Sequence, residues 1–210
     1  MIKAVIFDLD GVLVSTDEYH YLAWKLMADK EKIEFSREIN NRLRGVSRMA
    51  SLEIILENAK RKYSEKEKQE LAELKNNLYR DYLNELRPDD LLSNAVEIIK
   101  YLKSKDIKVA IGSSSRNTPK ILNQLKITNL FDAISDGNNI TKSKPDPEVF
   151  LKACESLNLT PKECLVVEDA TAGIEAANAC GMKSVAINDA KNSNLADYKI
   201  NDLIELKKIV

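Results

Sequence analysis

Five apolar runs of β-strand length dominate what this chain can fold into: residues 3–7 (KAVIF), 107–112 (IKVAIG), 131–135 (FDAIS), 164–168 (CLVVE) and 183–187 (KSVAI). Segments with apolar residues at helical spacing, 91–104, 119–126, 147–157 and 171–180, alternate with them. This alternation predicts an α/β fold with a doubly wound parallel sheet, whose functional groups belong at the C-terminal ends of the strands. Helix starts carry their own punctuation. Thr118 reads as an N-cap followed by Pro119 at the first helical position, and Thr160-Pro-Lys-Glu163 adds a capping-box glutamate to the same pair.

Residues 15–87 have a different texture. They contain no strand-like run, and helical stretches are expected near 17–31, 36–43, 48–61 and 65–85. Ser64 and Glu67 open the last as a capping box, and Leu71, Leu74, Leu78 and Tyr82 at helical spacing mark one buried stripe. The expected organisation is therefore a catalytic core of 1–14 and 88–210 with a helical cap of 15–87, joined through hinges near 12–16 and 86–93. An insertion directly after the first strand would sit over that strand's end, where a lid belongs.

The first strand ends in Asp8-Leu-Asp10-Gly11. Residues two apart on a strand point to the same side, so the two carboxylates are presented together and Gly11 lets the chain turn away. Paired negative charge at the end of a buried strand is costly unless a cation or a reaction uses it, and a hard, oxygen-seeking ion such as Mg2+ suits it. Ser113-Ser114-Ser115-Arg116-Asn117 follows the second run and offers hydroxyls and backbone N–H groups as an anion site. Lys144 stands between a loop and the Pro145-Asp-Pro147 turn, where its ammonium can reach inward toward phosphate. Glu168 and Asp169 repeat the acidic theme at a later strand end. Four acids, one lysine and a hydroxyl loop thus converge on one edge of the sheet.

Composition excludes several classes. With 32 basic and 33 acidic residues the net charge is −1, so no basic field recruits nucleic acid or an anionic membrane surface. The apolar runs are too short for a membrane span, and no signal peptide is expected. Three cysteines with no C-x-x-C pair suit a reduced, cytoplasmic protein.

Asp8-Leu-Asp10-Gly11-Val12, the Ser113/Ser114 strand end, Lys144-Pro145, and Glu168-Asp169 followed by Ala172-Gly173-Ile174 together resemble the haloacid dehalogenase superfamily of phosphoryl-transfer enzymes. The resemblance implies a core of that type, with Asp8 as the nucleophile that becomes an aspartyl-phosphate and Asp10 as general acid/base. It also implies phosphoryl binding by Ser113 (or Ser114) and Lys144. Asp169, with Glu168 beside it, the Asp8 carboxylate and the Asp10 backbone carbonyl would hold Mg2+.

The cap narrows the resemblance. Thr16, His20 and Trp24 lie at i, i+4 and i+8, His20 being the only histidine and Trp24 the only tryptophan. With Gly45-Val46-Ser47-Arg48, Ser51 and Lys75, this arrangement is similar to the β-phosphoglucomutase family over nearly the whole chain, weakening after about residue 188. That family interconverts β-D-glucose 1-phosphate and D-glucose 6-phosphate through β-glucose 1,6-bisphosphate. Carried over, Arg48 would hold the non-transferring phosphate, His20 and Lys75 would couple cap closure to the placement of Asp10, and Thr16 would lie in the hinge. Trp24, Gly45, Val46, Ser47 and Ser51 would shape the sugar site, and Ser115, Arg116 and Asn117 would meet the non-reacting phosphate from the core. Arg116 stands where lysine is expected, which keeps the charge and alters the geometry. The resemblance also implies a cis Lys144–Pro145 peptide, small-molecule sugar phosphates as the partners, and a monomer. The alternative is a Mg2+-dependent sugar-phosphate or phosphoglycolate-type phosphatase of the same superfamily. A non-catalytic phosphosugar binder would not need the nucleophile.

Overall fold

The computed structural model describes residues 1–43 and 46–210. The expected Gly45 contribution lies outside the described residues. The chain forms two compact units, Met1–Ser15 with Arg87–Val210, and Thr16–Leu86.

The first unit is built on a six-stranded parallel sheet in the order β3-β2-β1-β4-β5-β6. Its strands are β1 (Ala4–Phe7), β2 (Lys108–Gly112), β3 (Ala133–Ser135), β4 (Cys164–Glu168), β5 (Lys183–Ala186) and β6 (Tyr198–Lys199). The expected runs form the first five. The sixth has two residues, too few for any periodicity to reveal. Strand order reverses at β1, which has β2 on one side and β4 on the other, so the topological switch point lies at the end of the Asp8 strand. Phe7, the last residue of β1, lies opposite both Ile111 and Val167, so Asp8, just past β1, comes level with Glu168 at the end of β4.

Four helices accompany the sheet: α5 (Ala95–Ser104), α6 (Thr118–Gln124), α7 (Glu148–Ser156) and α8 (Thr171–Ala179). Ala4, Ile6 and Val166 pack with Val149, Phe150 and Ala153 of α7 and Ala176 and Ala177 of α8, all buried. Burying a side chain such as Ile6 contributes about 1.5–3 kcal/mol. Helix α5 begins four residues later than expected because Leu91 is drawn into an antiparallel bridge with Val14 and Asn94 takes left-handed geometry (φ 61°). That bridge, with the bond from Leu92 N–H to Leu13 O, ties together the outgoing and returning strands of the chain at its two crossings.

Two caps differ from expectation. Thr118 is already helical and its hydroxyl donates to Ser115 O, while Asn117 occupies the cap position. The Thr160–Glu163 capping box forms, but it closes a 3-10 turn (Pro161–Glu163) that leads into β4.

The second unit contains α1 (Asp17–Lys30), α2 (Arg37–Asn41), α3 (Arg48–Leu56) and α4 (Glu65–Tyr82). The Ser64–Glu67 capping box is present in both directions. Helix α3 stops five residues short of expectation, at the point where apolar residues at helical spacing give way to a charged turn. The core joins Trp24, Met27, Ala28, Ile33, Phe35, Leu52, Ile55, Leu71 and Ala72. The buried face of α4 is displaced from the expected stripe. Leu74, Leu78 and Tyr82 are half-buried, whereas Lys75, Asn76 and Tyr79 are buried. Among the described residues, no helix is long and apolar enough to cross a membrane.

Candidate active site

Asp8 stands one residue past β1, with its N–H bonded to Val167 O at 3.0 Å. Glu168 ends β4 and Asp169 follows it. One oxygen from each of Asp8, Glu168 and Asp169 lies within 4.8 Å of the others, which makes them a candidate metal group. Asp10 lies in the turn beyond the strand, where Gly11 N–H bonds to Val14 O at 2.7 Å. The strand stops at Phe7, so tertiary structure rather than strand alternation gives each aspartate its place.

Glycines make room for these acids. A Cβ on Gly11, whose φ is +82°, would lie 2.0 Å from Asp169 Oδ2, and one on Gly173 would lie 1.9 Å from Glu168 Cδ. Asn188, just past β5, donates to Gly11 O at 2.8 Å and braces the turn. The sequence reading passed over Asn188, although its position at the end of a strand could have marked it.

Lys144 crosses from the loop after β3. Its Nζ bonds Asp8 Oδ1 at 2.6 Å, pairs with Glu168 Oε1, and sits 4.7 Å from the centre of the Phe150 ring. The Lys144–Pro145 peptide is cis, as the resemblance implied. Burial opposes the Lys144 charge, but Asp8 and Glu168 outweigh it and raise its pKa. Burial, together with neighbouring carboxylates, pushes Glu168 and Asp169 well above the ordinary carboxylate range, even though Lys144 pulls in the other direction. Crowded, largely buried hard oxygen donors of this kind, with Asp169 half-buried, fit a divalent cation, whose charge would relieve their repulsion.

The hydroxyl loop is folded on itself. Ser113 is buried and its Oγ accepts from Ser115 N–H, Ser115 Oγ accepts from Asn117 N–H at 3.1 Å, and Ser114 Oγ accepts from Lys144 N–H at 3.4 Å. Arg116 is exposed and donates from Nε to Gly137 O at 3.2 Å. Ser114 is thus linked through Lys144 to Asp8, with Ser113 beside it just past the end of β2 and Arg116 and Asn117 farther along the loop.

Within the helical unit, Thr16, His20, Trp24 and Lys75 come together. Lys75 Nζ lies 2.7 Å from His20 Nδ1 and 4.8 Å from the centre of the Trp24 ring. Lys75 is buried, and His20 is half-buried. Desolvation and the positive charges of Lys75 and Arg48 hold the His20 pKa well below its usual value. Tyr79, which the sequence reading did not select, is hydrogen-bonded to Thr16 Oγ1 at 2.8 Å. Its position four residues after Lys75 was the available signal. Arg48 opens α3 and pairs with Glu73 at 3.7 Å. Ser47 caps α3 by accepting from Ala50 N–H, Ser51 is buried, and Val46 lies just before the cap.

A nucleophile-ready carboxylate, an ammonium and a metal-ready acidic group at the switch point of a parallel sheet define a phosphoryl-transfer enzyme of the haloacid dehalogenase type. The sequence pattern of the haloacid dehalogenase-like hydrolases matches residues 2–181, and the chain belongs to that family. Within it, the chain is 45% identical to β-phosphoglucomutase of Bacillus subtilis over 206 residues, covering 97% of this chain and 91% of the relative. It is 32% identical to a phosphorylated carbohydrates phosphatase of Thermotoga maritima, covering 90% and 88% of the two chains. A crystal structure of β-phosphoglucomutase from Clostridium difficile matches with a TM-score of 0.93 at 40% identity, over all of this chain and 96% of that one.

Proposed function

We propose that this enzyme interconverts β-D-glucose 1-phosphate and D-glucose 6-phosphate through β-glucose 1,6-bisphosphate and a phosphorylated Asp8. The observation that carries the reading is the 45% identity to a β-phosphoglucomutase, which spans both units rather than the sheet unit alone. Mg2+ is the proposed cofactor, held by Asp8, Glu168, Asp169 and the Asp10 backbone carbonyl. When bound, it supplies positive charge against an anionic phosphoryl group.

Asp8 is the nucleophile, and Lys144 orients its carboxylate through Oδ1 while countering the repulsion between two anions. Ser113 and Ser114 bind the phosphoryl oxygens beside Lys144. Asp10 removes the proton from the accepting sugar hydroxyl and returns one to the leaving oxygen when the bisphosphate reacts in its second orientation. Two phosphate positions are needed for that reversal, and Arg48 supplies one while Ser115, Arg116 and Asn117 supply the other. Trp24, Val46, Ser47 and Ser51 shape the sugar site. The helical unit acts as the cap that keeps water from phospho-Asp8, with His20 and Lys75 linking its closure to Asp10. We place the enzyme in the cytoplasm, in keeping with its three free cysteines, and take it to act as a monomer.

The test is an assay with Mg2+, β-glucose 1-phosphate and a trace of the bisphosphate, following glucose 6-phosphate and inorganic phosphate together. Glucose 6-phosphate with little free phosphate is expected. Free phosphate as the main product would replace the mutase with a sugar-phosphate phosphatase.

A further inference from the structure

Tyr79 lies at the centre of the polar network in the helical unit. Its hydroxyl bonds Thr16 Oγ1 at 2.8 Å, and its ring centre lies 4.0 Å from that of His20 with 30° between the planes. The Lys75 ammonium sits 4.6 Å from the same ring centre and 4.8 Å from that of Trp24. Lys75 is therefore buried between two aromatic faces, whose attraction for a cation offsets the cost that burial places on the ammonium. An ammonium has donors and no acceptor, so its 2.7 Å bond to His20 requires an unprotonated Nδ1. The imidazole proton must then reside on Nε2.

We propose that Tyr79 is a positioning residue that fixes the orientation and tautomer of His20 by holding the imidazole and the Lys75 ammonium against one ring. The proposal rests on the mutase reading for what the His20–Lys75 pair does, and on the geometry alone for how the pair is held. The charged groups around the imidazole agree with it. Lys75 and Arg48 both act on the ring as positive charges, and Glu73 pairs with Arg48 at 3.7 Å. The hydroxyl adds a second function by anchoring the first residue of the unit, Thr16, to α4.

His20 is the only histidine in the protein, so its ring nitrogens give a single unambiguous set of NMR signals. In the full-length wild-type protein without substrate, long-range 1H–15N spectra at neutral pH should show the proton on Nε2, with protonation of the ring displaced below the usual imidazole range. Tyr79→Phe keeps the ring and should keep that tautomer. Tyr79→Leu removes the ring and should give mixed tautomers and a kcat lower by roughly ten- to a hundredfold, with a smaller change in KM. Part of that kcat loss should return in Tyr79→Phe. A proton on Nδ1 in the wild-type protein would overturn the proposal without recourse to any variant. So would a single unchanged tautomer in folded Tyr79→Leu. If the wild-type enzyme releases inorganic phosphate instead of glucose 6-phosphate, the mutase reading fails while the imidazole spectra still decide the role of Tyr79.

Discussion

Gly11 and Asp169, 158 positions apart in sequence, are so close that an added Cβ on the glycine would lie 2.0 Å from a carboxylate oxygen of the aspartate. The backbone of the Asp8–Asp10 turn and the acid at the end of β4 therefore share one small volume. Gly11→Ala should displace the Asp169 carboxylate as well as strain a φ of +82°. The expected outcome is a higher Mg2+ requirement for activity with a modest loss of stability, on the order of 1–2 kcal/mol from the backbone alone. Mg2+ titration of turnover beside urea unfolding would check it.

Lys144 compensates two buried carboxylates, Asp8 and Glu168. Lys144→Met should leave them without that partner and destabilise the metal-free protein by about 3–5 kcal/mol. Turnover should be lost as well. Denaturant unfolding with and without Mg2+ would measure the first effect, and Mg2+ should restore part of the stability.

The raised pKa values of Glu168 and Asp169 give metal-free stability a definite pH dependence. Both acids bind protons more tightly folded than unfolded, so their contribution is complete below the ordinary carboxylate range. It is lost as pH climbs from about 4 through neutrality and beyond. The raised pKa of Lys144 keeps that residue charged throughout this window. The melting temperature without metal should therefore fall with rising pH, and Mg2+ should stabilise more at pH 8 than at pH 6. Calorimetry at matched ionic strength reads both.

Asp8→Asn should abolish turnover, because the amide cannot form the aspartyl-phosphate, and should leave sugar-phosphate binding measurable by calorimetric titration. Removing one of three crowded carboxylates should also weaken Mg2+ binding.

Glu73 sits against the guanidinium assigned to the non-transferring phosphate. Both side chains are solvent-accessible, so the pair is weak. Glu73→Gln should lower KM for the sugar phosphate by about two- to fivefold, the range of an exposed ion pair, with little change in melting temperature. An unchanged KM would count against Arg48 as the phosphate ligand.

The sheet unit was legible in the sequence because its strands are short, apolar and bounded, and because each functional group follows one of them. Asp8, Lys144, Glu168 and Asp169, which the structure brings together, stand out in the sequence for that reason. Asn188 was missed although it occupies the same kind of position, since an asparagine after a strand is also an ordinary turn residue. Helix α4 shows the opposite case. Its leucines mark a period, yet the most buried face carries Lys75, Asn76 and Tyr79, because polar groups that satisfy one another can be buried where isolated ones cannot.

The sequence by itself determined the alternation of strand and helix, the inserted helical unit, and the residue types at the strand ends. These follow from local periodicity and turn chemistry, which act over a few residues. Only the tertiary structure decided which carboxylates meet, since Asp8 and Asp169 are joined through the switch of strand order at β1. It alone decided that the Lys144 ammonium bridges Asp8 and Glu168, and that Tyr79 holds Lys75 and His20 together. Such contacts depend on the packing of elements distant in the chain, and no local pattern encodes their geometry.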